Sequence, residues 1–148
     1  MFKRLLSLHY SINSQIRRSH NLITVQEADG LKNICLNDHK TRNSLSMAMM
    51  NCLIEEIKRN EDDKNLRVIL LSSTGAVFSA GHNLKELSSD KSYEDRKNVF
   101  DKCHELVTCI VKSPLPIIAK IDGLAAAAGL QLAASCDIAV CSDKSTFS

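Results

Sequence analysis

The chain has 148 residues, enough for one domain, with 44% hydrophobic and 24% charged side chains, the balance of a soluble globular protein. Its formal charge of +2 is unevenly placed: residues 1–20 hold Lys3, Arg4, Arg17 and Arg18 and no acid, and setting those four aside leaves 15 basic and 17 acidic groups. Such a body offers no footprint for nucleic acid, which needs Lys and Arg clustered on one face, and no apolar run approaches the roughly 20 residues of a transmembrane helix.

The opening MFKRLLSLHYSINSQIRRSHN is basic, Ser-rich and acid-free, and Phe2, Leu5, Leu6, Leu8 and Ile12 could line one helical face. This composition reads as a mitochondrial transit peptide over residues 1–20. A basic tail without a targeting role is the plainer alternative. Residues 21–148 then make the domain. Two strands are expected over 22–27 and 31–36, joined at Asp29-Gly30, a strong hairpin signal. The stretch 37–44 is polar and loop-like. A helix follows Ser46, a good N-cap; Met47, Met50, Leu53, Ile54 and Ile57 recur at helical spacing, with Glu55, Glu56, Lys58 and Arg59 facing out. The apolar run 68–71 suits a strand buried on both faces. A loop over 72–80 leads to a short helix near His82 that includes Leu84 and Leu87.

A longer helix spans about 93–112, with Val99, Cys103, Leu106, Val107, Ile110 and Val111 on its buried face. Pro114 and Pro116 end it and lead into a strand over 117–121. Asp122-Gly123 turns the chain, 125–135 reads as a turn followed by a tightly packed helix, and 138–141 reads as another strand. Strand and helix alternate, the α/β pattern. The chain stops at Phe147-Ser148, directly after a strand, so strand and helix faces are expected to lie uncovered. The sequence reads as a truncated α/β domain, poorly stable alone because a small open sheet buries too little apolar area to offset chain entropy.

Six cysteines are present and none forms a CxxC; no His stands at zinc-ligand spacing from a Cys pair, so no metal site is expected. Most sit among apolar residues, where Cys acts as a small hydrophobe. His104, beside Cys103, is expected on a solvated helix face. Asp137, after Cys136, is expected to cap or turn the chain.

Two segments carry the chemistry. In Phe78-Ser79-Ala80-Gly81-His82-Asn83-Leu84-Lys85-Glu86-Leu87, small residues open a helix start, where backbone N–H groups lack intrahelical partners and can receive an anionic oxygen. In Asp122-Gly123-Leu124-Ala125-Ala126-Ala127-Ala128-Gly129-Leu130-Gln131-Leu132, four alanines and a glycine offer the same device. Two such N–H groups aimed at one point would stabilise a developing enolate. Taken singly, either segment is more simply a place of close helix–strand packing.

Together and in this order they resemble the crotonase (enoyl-CoA hydratase/isomerase) superfamily. FSAGHNLKEL resembles the A-G-x-D signature that binds acyl-CoA. IIAKIDGLAAAAGLQLAASCDIAV resembles the A-x-(N/D)-G-x-A-x-G-G-G signature ending in C-D-I-x-x-A. TRNSLSMAMM resembles the Asn-x-Leu entry to the first helix. The likeness runs over 22–148. It implies a crotonase-like ββα spiral, here only its N-terminal part, with coenzyme A thioester as ligand and no other cofactor. It also implies assembly as a homotrimer or hexamer and a place in mitochondrial fatty-acid metabolism. The first oxyanion N–H falls on His82, with acyl-CoA contacts on Ala80, Asn83, Leu84 and Lys85. The second falls on Ala128, where the family generally has Gly; the added methyl narrows the pocket.

Gln131 occupies the position of the first catalytic glutamate. A carboxylate can take up and return a proton, whereas an amide only donates and accepts hydrogen bonds. The second carboxylate position would fall beyond Ser148. The expected function is therefore acyl-CoA binding without classical hydratase activity. The alternatives are an isomerase, thioesterase or decarboxylase on the same scaffold, or a non-catalytic interaction subunit. Acyl-CoA titration separates the last from the others, and turnover on an acyl-CoA panel separates binder from catalyst. The leader makes its own prediction. Residues 1–20 fused to a reporter should carry it into mitochondria, and a fusion that stays cytosolic refutes the targeting role.

Overall fold

The computed structural model describes residues 15–59 and 62–148. Residues 1–14 of the expected leader lie outside them, and its last six form β1 (Gln15–His20), paired antiparallel with β2 (Ile23–Ala28). A hairpin joins β2 to β3 (Leu31–Leu36) in the register Ala28 opposite Leu31. Asp29 and Gly30 turn it with φ of 52° and 82°, as a two-residue turn with both central φ positive requires.

Helix α1 (Met47–Lys58) follows; Ser46 Oγ accepts the Met49 N–H at 3.1 Å, the expected cap. Then come β4 (Val68–Ser73), β5 (Val77–Ser79), a 3-10 turn at Leu84–Glu86, α2 (Tyr93–Val111), β6 (Ile117–Ile121), β7 (Leu124–Ala125), α3 (Ala128–Ala134), β8 (Ile138–Cys141) and β9 (Thr146–Phe147). Ser92 and Asp95 close a reciprocal capping box on α2.

The strands form two sheets. The larger has the order β1-β2-β3-β4-β6-β8, antiparallel as far as β3 and parallel from β3 to β8; the smaller is β5-β7-β9, all parallel. The α/β crotonase-type layering expected from sequence is thus present. The core collects Ile34, Leu36, Ile69, Leu71, Ile117 and Ala119 from the large sheet with Met49, Met50, Leu53 and Ile57 of α1 and Leu106 and Ile110 of α2. Apolar side chains of the last strands remain at the surface: Ile138 and Val140 are each 55% exposed and Phe147 47%. Cys35 and Cys103 are buried, Cys141 is exposed, and the six thiols are free.

Three expectations need correction. The loop expected over 72–80 holds the end of β4 and all of β5, and β7 is a further strand; at two or three residues β5 and β7 are too short to show a period. Val111, the last residue of α2, is 69% exposed, while its neighbour Ile110 is buried. Glu56, expected to face out, is 1% exposed.

Glu56 is buried because it belongs to a charged cluster under the C-terminal end of α1. Its carboxylate accepts Arg59 Nε at 2.9 Å. The ammonium of Lys32, itself fully buried, donates to Glu56 O at 2.9 Å and to Arg59 O, with Glu27 Oε1 at 3.8 Å. Lys32 thus caps carbonyls that the helix leaves unpaired. Burial lowers its pKa below the usual 10.5, against the pull of Glu27 and Glu56. Lys32→Met in the full-length protein should cost about 1–3 kcal/mol in urea unfolding, since buried carbonyls lose their donor. The pH dependence has a definite sign. With its folded pKa depressed, Lys32 sheds its proton earlier in the folded than in the unfolded chain, so native stability gains as pH rises toward 10.5. The gap between native protein and Lys32→Met should widen over that window; a gap that closes would contradict the burial argument.

Candidate functional site

The two small-residue segments meet. β5 and β7 pair in parallel, Val77 with Leu124 and Ser79 with Ala125. The Ala126 N–H donates to Ser79 O at 3.0 Å, and the Ala80 N–H to Arg42 O at 3.1 Å. Gly81 follows at φ +88°, a backbone that disfavours any side chain. A methyl built on Gly81 would stand 2.9 Å from Ala126 O and 3.2 Å from both Ala127 Cβ and the Ala128 nitrogen. Gly129 is as tight from the other side: its methyl would lie 2.5 Å from Ser79 O and 2.7 Å from Ser79 Cβ. Both glycines are needed for the approach, which brings the peptide before His82 against the peptide before Ala128.

His82, the first expected N–H, follows Gly81 and bridges to Leu45, whose N–H donates to Gly81 O at 2.8 Å. Ala128, the second, is 3% exposed and is the first residue of α3, where the helix supplies no acceptor for its N–H. Among the described residues neither amide finds an acceptor. The residue between the segments' ends, Ala127, has φ 47° and ψ −120°. For a non-glycine residue that conformation costs about 1–3 kcal/mol. It is held by Ala127 N–H to Ser148 O at 2.8 Å, and by the Gly129 and Gln131 N–H groups, which donate to Ala126 O and Ala127 O at 2.7 and 3.1 Å.

The imidazole of His82 stands edge-on to Phe100 of α2, ring centres 5.2 Å apart at 76°. Its Nδ1 is buried without a hydrogen-bond partner among the described residues. Burial lowers the His82 pKa from its usual 6.5, opposed by the Leu45 backbone and the Glu86 charge. Asn83 Oδ1 caps the 3-10 turn by accepting the Lys85 N–H at 3.2 Å. Leu84 is 77% exposed and Lys85 is exposed, both on the rim. Glu86 Oε2 accepts the Met47 N–H at 3.0 Å and ties the turn to the start of α1.

Gln131 lies on α3 three residues after Ala128, on the same helix face and open to solvent. Gly81, between Ala80 and His82, thus packs against the chain from Ala126 to Ala128, Gln131 stands one turn further along α3, and Asn83, Leu84 and Lys85 form the outer turn. His104 is exposed, as expected, in a groove along α2 with Glu105, Thr108 and Cys109, and none of the expected site residues lines that groove. Asp137 links β8 to β6: its Oδ2 accepts the Ile117 N–H at 2.7 Å.

Sequence reasoning missed the residues behind the site. Asn43 is 1% exposed at φ 52°; its Nδ2 donates to Thr74 O at 3.1 Å and Val77 O at 2.8 Å, and its Oδ1 accepts the Asp38 N–H at 2.8 Å. Ser79 is fully buried; its Oγ donates to Asn43 O at 2.8 Å and accepts the Gly81 N–H at 3.3 Å. Both residues lie inside motifs already quoted, Asn43 as the Asn of the Asn-x-Leu entry and Ser79 in FSAGHNLKEL, but nothing in those motifs indicates the bonds that their side chains make.

Comparison with known proteins shows the family. The family model described as Enoyl-CoA hydratase/isomerase matches residues 26–148. Enoyl-CoA hydratase domain-containing protein 3, mitochondrial, of Xenopus laevis is 47% identical over 137 residues, 92% of this chain and 47% of that protein. The crystal structure of the human protein of that name superposes with a TM-score of 0.84 at 45% identity, over 86% of this chain and 50% of the other. 4-Chlorobenzoyl coenzyme A dehalogenase-2 of Arthrobacter is 31% identical over 132 residues, 87% of this chain and 48% of the dehalogenase. The chain spans about half the length of the curated relatives it matches.

The contact between the segments makes a steric prediction. Gly129→Ala should lower the stability of the full-length protein by about 1–3 kcal/mol, the usual cost of overpacking, although alanine favours a helix by about 1 kcal/mol. Urea unfolding measures it; a stability equal to or above the parent's would show that Ser79 can yield.

Proposed function

The chain belongs to the enoyl-CoA hydratase/isomerase family, and from that we propose that it receives the thioester carbonyl of an acyl-CoA at the N–H groups of His82 and Ala128. The observation that carries this reading is the abutment of Gly81 on the Ala128 nitrogen, within 3.2 Å of a methyl built at Gly81. Gly81 directly precedes His82, so this contact supports a pairing of the His82 and Ala128 N–H groups, neither of which has an acceptor among the described residues. Such donors are worth several kcal/mol once a thioester carbonyl becomes an enolate. Ala80 and the outer turn Asn83, Leu84 and Lys85 flank that point as acyl-CoA contacts, with the Lys85 ammonium free to meet coenzyme A phosphate.

Hydration needs more than this electrostatic device. As water attacks the β-carbon of an enoyl thioester, one proton must leave the water and another must reach the α-carbon. Gln131, where the family's glutamate would stand, holds an amide that can position water and cannot take its proton. Loss of general base catalysis typically costs 10²–10⁴-fold. The reading is thus an acyl-CoA binder of mitochondrial fatty-acid metabolism with little hydratase activity, assembled as a trimer or dimer of trimers. The mitochondrial names of the relatives and the basic leader support the location. Cleavage ahead of Gln15 would leave β1 intact.

A second reading, catalysis of other chemistry, has support in the dehalogenase relative, whose name states a different reaction on a coenzyme A thioester. An acyl-CoA panel separates the two. Full-length protein should bind crotonyl-CoA and hydrate it slowly or not at all, and turnover equal to an authentic hydratase would sink the reading. Gln131→Glu should raise hydration if the second carboxylate is supplied by the remainder of the full-length protein.

A further inference from the structure

Behind the two N–H groups stands a buried polar chain that no packing requirement explains. Asn43 and Ser79 are among the few polar side chains of the core, 1% and 0% exposed. The Asn43 amide spends both Nδ2 hydrogens on the Thr74 and Val77 carbonyls, the two ends of the connection from β4 into β5. The main-chain carbonyl of Asn43 receives the Ser79 hydroxyl, and that hydroxyl receives the Gly81 N–H. The Ser79 carbonyl receives the Ala126 N–H, and Ser79 is also the surface against which Gly129 is seated. Asn43 thus fixes where β5 begins. Ser79 fixes where β5 ends and how far it stands from α3, so one chain of hydrogen bonds touches both halves of the site.

Resting on the reading of His82 and Ala128 as carbonyl-binding amides, we propose that Asn43 and Ser79 are its positioning residues, setting through Gly81 and Ala126 the gap between the two N–H groups. Neither reaches the ligand. Asn43 keeps a left-handed backbone, which asparagine tolerates better than most residues, so its identity serves conformation and hydrogen bonding together. A displacement of about 1 Å at such donors is costly because hydrogen bonds weaken steeply with distance and angle.

The test uses full-length protein and an enoyl-CoA thioester whose chromophore absorbs further to the red as its carbonyl is polarised. Bound to the unmodified protein, the thioester should show a red shift. A bound thioester without one refutes the amide site itself, independently of Asn43 and Ser79. Asn43→Asp keeps the acceptor for the Asp38 N–H and the tolerance for positive φ, and loses both donors. Ser79→Ala loses only the hydroxyl and is the milder variant should Asn43→Asp fold poorly. Each folded variant should lose most of the red shift at saturating thioester while its dissociation constant changes little. Lys32→Met, which weakens the fold far from these residues, should keep the full shift. Full retention of the shift in folded Ser79→Ala overturns the proposal, as does an equal loss in Lys32→Met, which would make the effect one of general stability.

Discussion

The fold around the site depends on one close approach, that of Ser79 and Gly129. Here a strand end and a helix start touch with no side chain between them, since even a methyl at Gly129 would fall 2.5 Å from Ser79 O. The Ala126 N–H bond to Ser79 O locks the two peptides, and parallel β5–β7 pairing sets their register. The glycines at 81 and 129 follow from that distance, as does the run of alanines, because larger residues at 127 and 128 would force the segments apart. The candidate chemistry is a by-product of the same closeness. Peptides packed this tightly at a turn and a helix start have N–H groups that secondary structure cannot use.

A second constraint operates at the opposite end of α1. A buried ammonium, a buried carboxylate and a guanidinium close the C-terminal end of that helix. Its other end is tied to the site by the Met47 N–H bond to Glu86. Helix α1 therefore spans between two polar anchors and is fixed in direction as well as in depth. Polar groups in the core restrict which arrangements the chain can adopt, because any other leaves them unpaired.

The large sheet and the long helices were legible in the sequence where a period or a breaker announced them. The run Val68–Ser73 and the Pro114–Pro116 boundary did so, as did Asp29-Gly30, whose two positive φ values the dipeptide favours. The candidate site was legible as two stretches of small residues, and their order pointed to the family. What connects them was not legible. β5 and β7 are too short to carry a pattern, and they are strands only because each has the other. Glu56 looked solvent-facing because its neighbours Glu55 and Arg59 are polar; its burial is decided by Lys32, 24 residues away in the chain. Asn43 presented itself as one more loop residue, since nothing local says that its amide reaches Thr74 and Val77.

Ala127 gives the site a vulnerability of its own. Its backbone sits where an alanine would not rest unaided, and hydrogen bonds hold it there. In one of them the Ala127 N–H donates to Ser148 O, next to Phe147 of β9. A strained position keeps its conformation only while its restraints hold. The first turn of α3 supplies the rest, the Gly129 N–H to Ala126 O and the Leu130 and Gln131 N–H groups to Ala127 O, so the strained peptide and the helix start that it opens hold or yield together.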